Sequence, residues 1–488
     1  MKKLFATIFS FFEEQLYRLT MQFMERSGGI CYATNNASTF SSDIRNYIAE
    51  KVLPLAKRQL TAYQFADKLK LPANMGTTYT ATRYSRLNLP FAPLSEGVPS
   101  AGEAMTISQS QGVAQQWGDS VSITDVAEIT IAHDVFKQGM KLVGMQLAET
   151  MERNSYTGTN GLMAGSNINY ANAKASRAAL LATDVLSPHE INRAVNVLEL
   201  SGAPKFGDPE KESYEVDARQ KKGTVNPHYV AIVHPSSAQD MRENSTVSTA
   251  WSYSDINRLY TNELGEWGGV RFTKSNMVPF WTGVALVSGT PATTGGALAA
   301  ANYIIQVTAS PALTSMEQRI YQQSAPITVG GSGAGSISVT LPTLAGYVFN
   351  VYISAAGSSS VVNLGLCASG PTTGPLAGQA TQLASGATVV ITGVGAAQVP
   401  PAAPATGVSV YPTFVIGENA YGAVELDSAK FEYLKEADKS DRHNQLRLIA
   451  WKIFYGMIIL NQAFMMRIES GSAFAPTYDS GAVAGVTY

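Results

Sequence analysis

The longest run of regularly spaced apolar residues lies between Asp125 and about Arg153. Val126, Ile129, Ala132, Phe136, Met140, Val143, Leu147 and Met151 follow one another at steps of three or four. That spacing predicts one stripe on a single α-helix, with Ile129, Phe136, Met140, Val143 and Leu147 as its core positions. Thr124 or Asp125 can cap its start, and Glu128 stands where a capping-box partner belongs. Asp134 with Lys137 and Glu149 with Arg153 are spaced as ion pairs on the polar side. Such a helix is about 40 Å long, well beyond the average of three turns, and reads as a structural spine. Gly139 and Gly144 each weaken it by about 1 kcal/mol relative to Ala. A tolerated cost and a close approach of another backbone are both open readings.

Before the spine, Leu4, Ile8, Phe12, Leu16 and Leu19 predict an amphipathic helix reaching about Arg26. Residues 31–42 are polar and loop-like, and a second helix is expected from Ser42 or Asp43 to about Gln64, with Pro54 as a kink. A shorter piece carries Phe65 and Leu69. From Thr77 the period changes to two, in residue types that strands favour or tolerate. A Pro/Gly-rich tip through Ser100-Ala101-Gly102 follows, and a second extended run returns from Met105 to Ile123. Two extended arms with a long tip make a projecting hairpin. Few of its residues can fill a core, so its hydrophobic partners are expected on another subunit.

After the spine, Gly158 to Asn172 reads as loop, and Ser187-Pro188-His189-Glu190 as a helix start running to about Leu200. Residues 207–222 are charged and loop-like, and Tyr229–Val233 is a buried strand. Leu264 to Phe272 reads as a turn followed by a strand. Composition then breaks: between Lys274 and Glu418 the only charged residues are Glu317 and Arg319. Short apolar runs separated by Gly-rich turns predict an all-β sandwich inserted here, with Gln398 to Thr406 as its exit linker. Closing strands are expected over about Gln445 to Tyr455 and Ala463 to Glu469, with a turn at Asn461-Gln462 and a loose tail from Gly471.

A formal net charge of -2 with 15% charged residues lacks the basic surplus of an electrostatic DNA binder. Cys31 and Cys367 lie far apart and make neither a disulfide framework nor a zinc site. The apolar start is followed at once by Glu13 and Glu14 without a small-residue cleavage site, unlike a signal peptide. Lys452, Gly456, Asn461 and Gln462 interrupt the run Leu448 to Met466, which argues against a membrane span. No phosphate-binding, nucleophile-elbow or zinc-protease motif is present. His133 beside Asp134 reads as a packed or solvated histidine, and His189-Glu190 as capping. No catalytic, cofactor-binding or metal residues are expected, and the chain does not read as an enzyme.

One ordered set of short motifs remains. It comprises Gly76 to Leu87 with Pro93-Leu94-Ser95-Glu96-Gly97-Val98-Pro99; Gln116-Trp117-Gly118 with Ile123-Thr124-Asp125; Ala231 to Pro235; Glu263 to Phe272; Phe414 to Gly417 with Ala420-Tyr421-Gly422; and Ala450-Trp451-Lys452 through Ile459-Leu460-Asn461. In that order they resemble the major capsid proteins of the N-four-like tailed phages, over most of 31–281 and 411–469. Residues 1–30 and the block from about 282 to 410 depart from the family pattern. The resemblance implies an α+β chain with the Hong Kong ninety-seven type phage capsid fold. It maps N-terminal arm helices to 1–75, an E-loop to 76–124, and the spine helix with the P-domain and first part of the A-domain to 125–281. The inserted β-sandwich takes 282–410, and the rest of the A-domain and the closing P-domain strands take 411–488. It implies subunit contacts through Arg83, Tyr84, Arg86, Leu87, Leu94, Glu96, Gly97 and Trp117, with Trp451 on a P-domain strand.

The implied function is that of a virion shell protein, assembled in the host bacterial cytoplasm into hexamers and pentamers. Its partners would be other copies of itself and portal, scaffolding and decoration proteins. It would enclose double-stranded DNA without sequence-specific binding, and touch no membrane. Some relatives of this fold crosslink through an E-loop lysine; no Lys lies between Lys70 and Lys137, so a non-covalent shell is expected. The insertion is expected on the outer surface. An encapsulin-type compartment and, in a different class, a surface adhesin are the alternatives.

Overall fold

A computed structural model describes residues 61–72, 76–89, 102–130, 135–158, 160–207, 227–247, 260, 262–311, 317–331, 333–367, 383–434 and 445–475. The first amphipathic helix, most of the second, the loop tip at 90–101 and most of the charged stretch 207–222 lie outside these residues.

The elements follow the chain in this order: β1 Asp67–Lys70, β2 Thr78–Tyr84, β3 Ile107–Val113, β4 Gln115–Thr124, α1 Asp125–Thr130, α2 Val135–Thr157 and β5 Ile168–Tyr170. Next come α3 Pro188–Leu200, β6 Tyr229–Val233, α4 Pro235–Glu243, β7 Glu263–Trp267, β8 Val270–Lys274 and β9 Trp281–Val284. The charge-poor stretch supplies β10 Gly289–Ala292, β11 Ala301–Tyr303, β12 Ile305–Pro311, β13 Arg319–Tyr321, β14 Ile327–Val329, β15 Ser336–Thr340, β16 Tyr347–Ser354, β17 Val361–Cys367, β18 Leu383–Ala384 and β19 Thr388–Ala397. The chain closes with β20 Ser409–Ile416, β21 Tyr421–Leu434, β22 Leu446–Ile459 and β23 Met465–Ser470. The helical piece expected around Phe65 and Leu69 is instead a 3-10 turn over Ala62–Phe65 and the strand β1, which pairs in parallel with β21. Apolar spacing over so few residues does not distinguish a turn and strand from a helix.

Two compact units form. The smaller holds the described residues of Gly118–Met145 and Lys430–Lys452. Here the far ends of β21, β22 and β4 lie in that order, with α1 and the start of α2. The Thr124 hydroxyl accepts from Ala127 N–H at 3.2 Å and caps α1. The expected spine is described over α1 and α2, residues 131–134 lying outside the described residues, and its buried line is shifted from the expected stripe. Val135, Gly139 and Val143 are buried, whereas Ile129 is 82% exposed and Met140 52% exposed. The physical reason lies at Gly139: a Cβ there would stand 3.1 Å from Ile449 and 3.2 Å from Ile123. The missing side chain admits these two strand residues, so the helix turns that side inward. Phe136 is half-buried against Tyr433, ring centroids 4.6 Å apart. Trp451 is buried on β22, and its carbonyl passes so close to Gly118 that a side chain there would collide with it. Around Gly144 there is nothing within 4 Å, so that glycine is the tolerated cost.

The larger unit holds the described residues of Leu55–Trp117, Gln146–Ala429 and Ile453–Tyr488. Leu147 continues the buried line of α2. Its main sheet has the order β10-β15-β19-β17-β16-β12-β13-β9-β20-β6-β8-β7, with β23 paired to β20 and to β5. The fully buried β6 sits between β20 and β8, parallel to β8. Beside this sheet α3 and α4 contribute Ile191, Ala194, Leu198, Ala238 and Met241 to one core with Val415 and Ile468.

The charge-poor strands form a second core, with Ile305, Val307, Ile337, Val339, Phe349, Val351, Val389 and Ile391 buried together. The sandwich expected here is not a separate pair of sheets. Its strands continue the main sheet through β13, which pairs with β9, and β9 in turn pairs with β20. The sheet folds over on itself, since β12 and β15 share one core, and the ribbon β11-β14 lies beside it. Backbone hydrogen bonds across the sheet join strands that periodicity reads only singly. The incoming and outgoing chain meet at Gly283, whose N–H donates to Val408 carbonyl at 2.9 Å while Gly407 N–H returns to Gly283 carbonyl at 2.8 Å. A side chain at Gly283 would strike the Pro404 and Ala405 carbonyls.

A buried ion cluster joins this junction to the main sheet. Glu469 on β23 is fully buried and accepts from Arg177 Nε and Nη2, both at 2.7 Å. Arg467 Nε lies 3.0 Å from the same carboxylate. Arg177 also covers the Trp281 ring at 3.6 Å and donates to Ala402 carbonyl at 3.1 Å. One guanidinium therefore touches both roots of the charge-poor module. Just downstream of Glu469 the chain is pinned where the loose tail was expected to begin, and residues 476–488 of that tail lie outside the described residues. Ser470 and Ser472 are buried, Gly471 N–H donates to Asp184 carbonyl at 2.9 Å, and Ala473 N–H donates to Asp240 Oδ1 at 3.1 Å. Small polar residues form a tail only when no acceptors receive their backbone.

One further local reading changes. Glu190 does not close a capping box; its carboxylate accepts from Asn169 Nδ2 at 2.8 Å and Asn172 N–H at 3.1 Å. His234 is the residue that caps α4, its Nδ1 accepting from Ser236 N–H at 3.2 Å while Pro235 opens the helix. Its ring stacks on Tyr411 at 4.6 Å, and burial pushes its pKa down to about 3.

The paired glycines of the spine should respond oppositely to alanine. Gly144→Ala is expected to raise unfolding free energy by about 0.5–1 kcal/mol through helix propensity. Gly139→Ala should lower it by about 1–3 kcal/mol through overpacking, both read by urea denaturation. The buried neutral imidazole makes a second test. Its folded pKa lies below the ordinary 6.5, so its contribution to stability is full above that value and is lost as pH falls toward about 3. Between pH 7.5 and 5 this group alone should cost about 2 kcal/mol, and His234→Asn, which keeps the cap acceptor, should remove that share of the slope.

Candidate assembly interface

β2 and β3 pair antiparallel from Thr78↔Val113 to Tyr84↔Ile107. The strand types and alternation around Thr77 produce this ladder, in which Tyr79 and Ala81 point to the body and Thr78, Thr80 and Thr82 to solvent. The expected second arm divides at the buried Ala114: β3 pairs within the hairpin, whereas β4 belongs to the sheet with β22. Gly112 permits the close docking of the hairpin base, because a Cβ there would meet Ile458 and Val424. Leu71, Ala114, Val424 and Ile458 form the small core beneath it.

Beyond that base, packing ceases. Tyr84 is 62% exposed, Leu87 55%, Leu89 79% and Met105 70%, and Ile107 is exposed too. Polar bonds hold this arm in shape: Ser85 N–H donates to Thr106 carbonyl at 2.9 Å, and Asn88 N–H donates to Glu103 at 3.0 Å. Arg83 Nη1 donates to Asn461 Oδ1 at 2.5 Å, and Asn160 Nδ2 to Gln111 carbonyl at 2.8 Å. The backbone is thus directed while its large side chains are left to water.

Of the residues implied by sequence, Arg83, Tyr84, Arg86 and Leu87 share the exposed hairpin. Leu94, Glu96 and Gly97 lie outside the described residues. Trp117 is not on the hairpin but follows it; its Nε1 donates to Tyr455 carbonyl at 3.2 Å and Arg153 lies 5.7 Å from its ring. It is half-buried within its own chain. Glu103, Asn160 and Asn461 support the hairpin from up to several hundred residues away, and sequence reasoning missed them. Only the Asn461 turn carried a local signal.

Among the described residues no three His, Cys, Asp or Glu side chains form a group that could hold a metal ion. Cys367 is a buried free thiol pushed up to about 12 by desolvation, the opposite of a reactive thiolate. No described helix is long and apolar enough to cross a membrane. Glu152 on α2 is buried and receives backbone N–H groups of Thr61 and Ala62.

No protein-family model matches the chain, and no curated protein matches it. Solved structures do. The capsid of Ralstonia phage GP4 is 11% identical with a TM-score of 0.46, covering 91% of this chain and 98% of that one. The cyanophage Pam1 capsid asymmetric unit is 9% identical at TM-score 0.45, covering 92% and 100%. The acidic stable capsid structure of Helicobacter pylori bacteriophage KHP30 is 9% identical at TM-score 0.44, covering 91% and 99%.

Because Tyr84, Leu87 and Met105 are exposed among the described residues, their replacement should be thermodynamically silent in the isolated protein. Tyr84→Ser, Leu87→Ser and Met105→Ser are each expected to shift unfolding free energy by less than about 0.5 kcal/mol, while binding of a fluorescent apolar dye falls. A loss of several kcal/mol would mean that the hairpin packs on its own subunit.

Proposed function

We propose that this chain is the major capsid protein of a tailed double-stranded DNA bacteriophage, with the Hong Kong ninety-seven type fold. The observation that carries this reading is the projecting hairpin. A monomer gains nothing by holding Tyr84, Leu87, Leu89, Met105 and Ile107 in water on an ordered ribbon. A neighbouring copy that covers them gains apolar burial of about 25 cal/mol per Å². The hairpin runs through β4 into α1 and α2, which is the order that the resembled family's E-loop and spine helix take.

In this reading the units have the roles that the family resemblance assigns. The α2 helix with β21, β22 and β4 is the P-domain, and the sheet around β6, β8, β20 and β23 is the A-domain. The hairpin lies over an adjacent subunit, and residues 1–60 form the arm that ties neighbours together. Copies close into hexamers and pentamers of an icosahedral shell around packaged DNA, with portal, scaffolding and decoration proteins as partners. A near-neutral wall suits confinement without tight DNA contacts. The charge-poor module from Gly289 to Ala397 stands on the outer face, where it takes no volume from the genome. The shell is non-covalent, since the hairpin stretch lacks lysine.

Electron microscopy of the chain expressed alone and with its packaging partners tests the reading. Closed shells with five- and six-fold clusters of subunits are expected, running as monomers on a denaturing gel. The triple variant Tyr84→Ser/Leu87→Ser/Met105→Ser should fold and leave unassembled subunits. Shells that form equally well with that variant would remove the hairpin from the interface, and shells enclosing protein cargo in place of DNA would favour a nanocompartment.

A further inference from the structure

The 3-10 turn Ala62–Phe65 begins with backbone N–H groups that its own sequence does not cap; Thr61 makes no side-chain cap bond. Their acceptor comes from Glu152, on the far end of α2. Oε1 receives Thr61 N–H at 2.8 Å and Ala62 N–H at 2.9 Å, and Oε2 receives Ala62 N–H at 3.1 Å and Tyr63 N–H at 3.4 Å. The Tyr156 hydroxyl, one helical turn on, donates to Oε1 at 3.1 Å and lies 3.3 Å from the Thr61 hydroxyl. From the other side Tyr421 Oη donates to Ala62 carbonyl at 2.6 Å, and Tyr63 Oη donates to Glu425. Thr61, Ala62, Glu152, Tyr156 and Tyr421 are all buried.

A buried carboxylate is costly unless charge-assisted bonds use both oxygens, and here several converge on it from one short backbone segment. Core packing does not require an acid at this position: α2 carries Val143 and Leu147 on its buried line above it. What the acid does is hold the backbone of Thr61–Tyr63 against α2. We propose that Glu152 is the positioning residue of the amino-terminal arm: it clamps Thr61–Tyr63 to the spine helix and so sets where residues 1–60 leave the subunit toward a neighbour. The second half of this statement rests on the capsid reading; the clamp itself does not.

Hydrogen exchange of the full-length, unassembled chain tests the clamp directly, since the amides of Thr61, Ala62 and Tyr63 are the bonded groups. Glu152→Met keeps bulk and removes both acceptors; Glu152→Gln keeps one. Exchange over 61–63 should accelerate by about tenfold or more in the methionine variant and by less in the glutamine variant, while β6 keeps its protection. Tyr421→Phe, which removes the opposing bond, should produce the same local pattern without touching the acid. Particles built from Glu152→Met subunits should be irregular in size under conditions where the unaltered chain builds uniform ones. Unchanged exchange over 61–63 overturns the clamp, as does acceleration that rises equally in β6. Uniform particles from Glu152→Met overturn the positioning role. An unaltered chain that builds no shells counts against the capsid reading instead, and the exchange result still decides the clamp.

Discussion

The larger unit depends on the ion cluster centred on Glu469. A carboxylate with no exposure must be compensated in place, and Arg177 supplies two parallel bonds in the planar fork that suits it. Removing one partner of such a pair costs about 3–5 kcal/mol, because the other charge is left buried. The geometry matters more than the energy. Arg177 reaches Trp281, Ala402 and β23 together, so the point where the chain leaves for the charge-poor module and the point where it returns are held to the same side chain. Between those points lies a long excursion with its own core, yet its sheet remains hydrogen-bonded to the rest. Gly283 completes the junction, since only a residue without a side chain allows the outgoing backbone to pass so near.

The hairpin obeys the opposite constraint. Its base is packed through Gly112, Tyr79 and Ala81, whereas its distal part spends polar bonds on shape and leaves apolar side chains uncovered. Among the described residues the distal ribbon is thus ordered in its backbone and apolar on its surface. Buried carboxylates recur where chain segments are fastened: Glu152 at Thr61–Tyr63, Glu190 at Asn169 and Asn172, Asp240 at Ala473. Each helix lends an acid to backbone or amide groups outside it, which fastens loops to the core.

What the sequence determined by itself is local. A period of two over residues 78–84 specified an extended ribbon, and the scarcity of core-forming residues along it was legible in the same pattern. The helical period after Thr124, the all-apolar strand 229–233 and the break in charge after Lys274 were legible for the same reason: periodicity and composition are properties of neighbours along the chain. The tertiary structure decided everything that depends on residues far apart. Ile129 and Met140 fit the helical stripe, but the inward side of the spine was chosen by Ile123 and Ile449 filling the space that Gly139 leaves. The charge-poor strands read as a separate sandwich until β13 and β9 paired, because pairing between strands that are not neighbours in sequence has no trace in local pattern. Glu152, Glu469 and Arg177 carried no signal in the sequence, since burial is a consequence of the fold and a lone charged residue carries no mark of its partner.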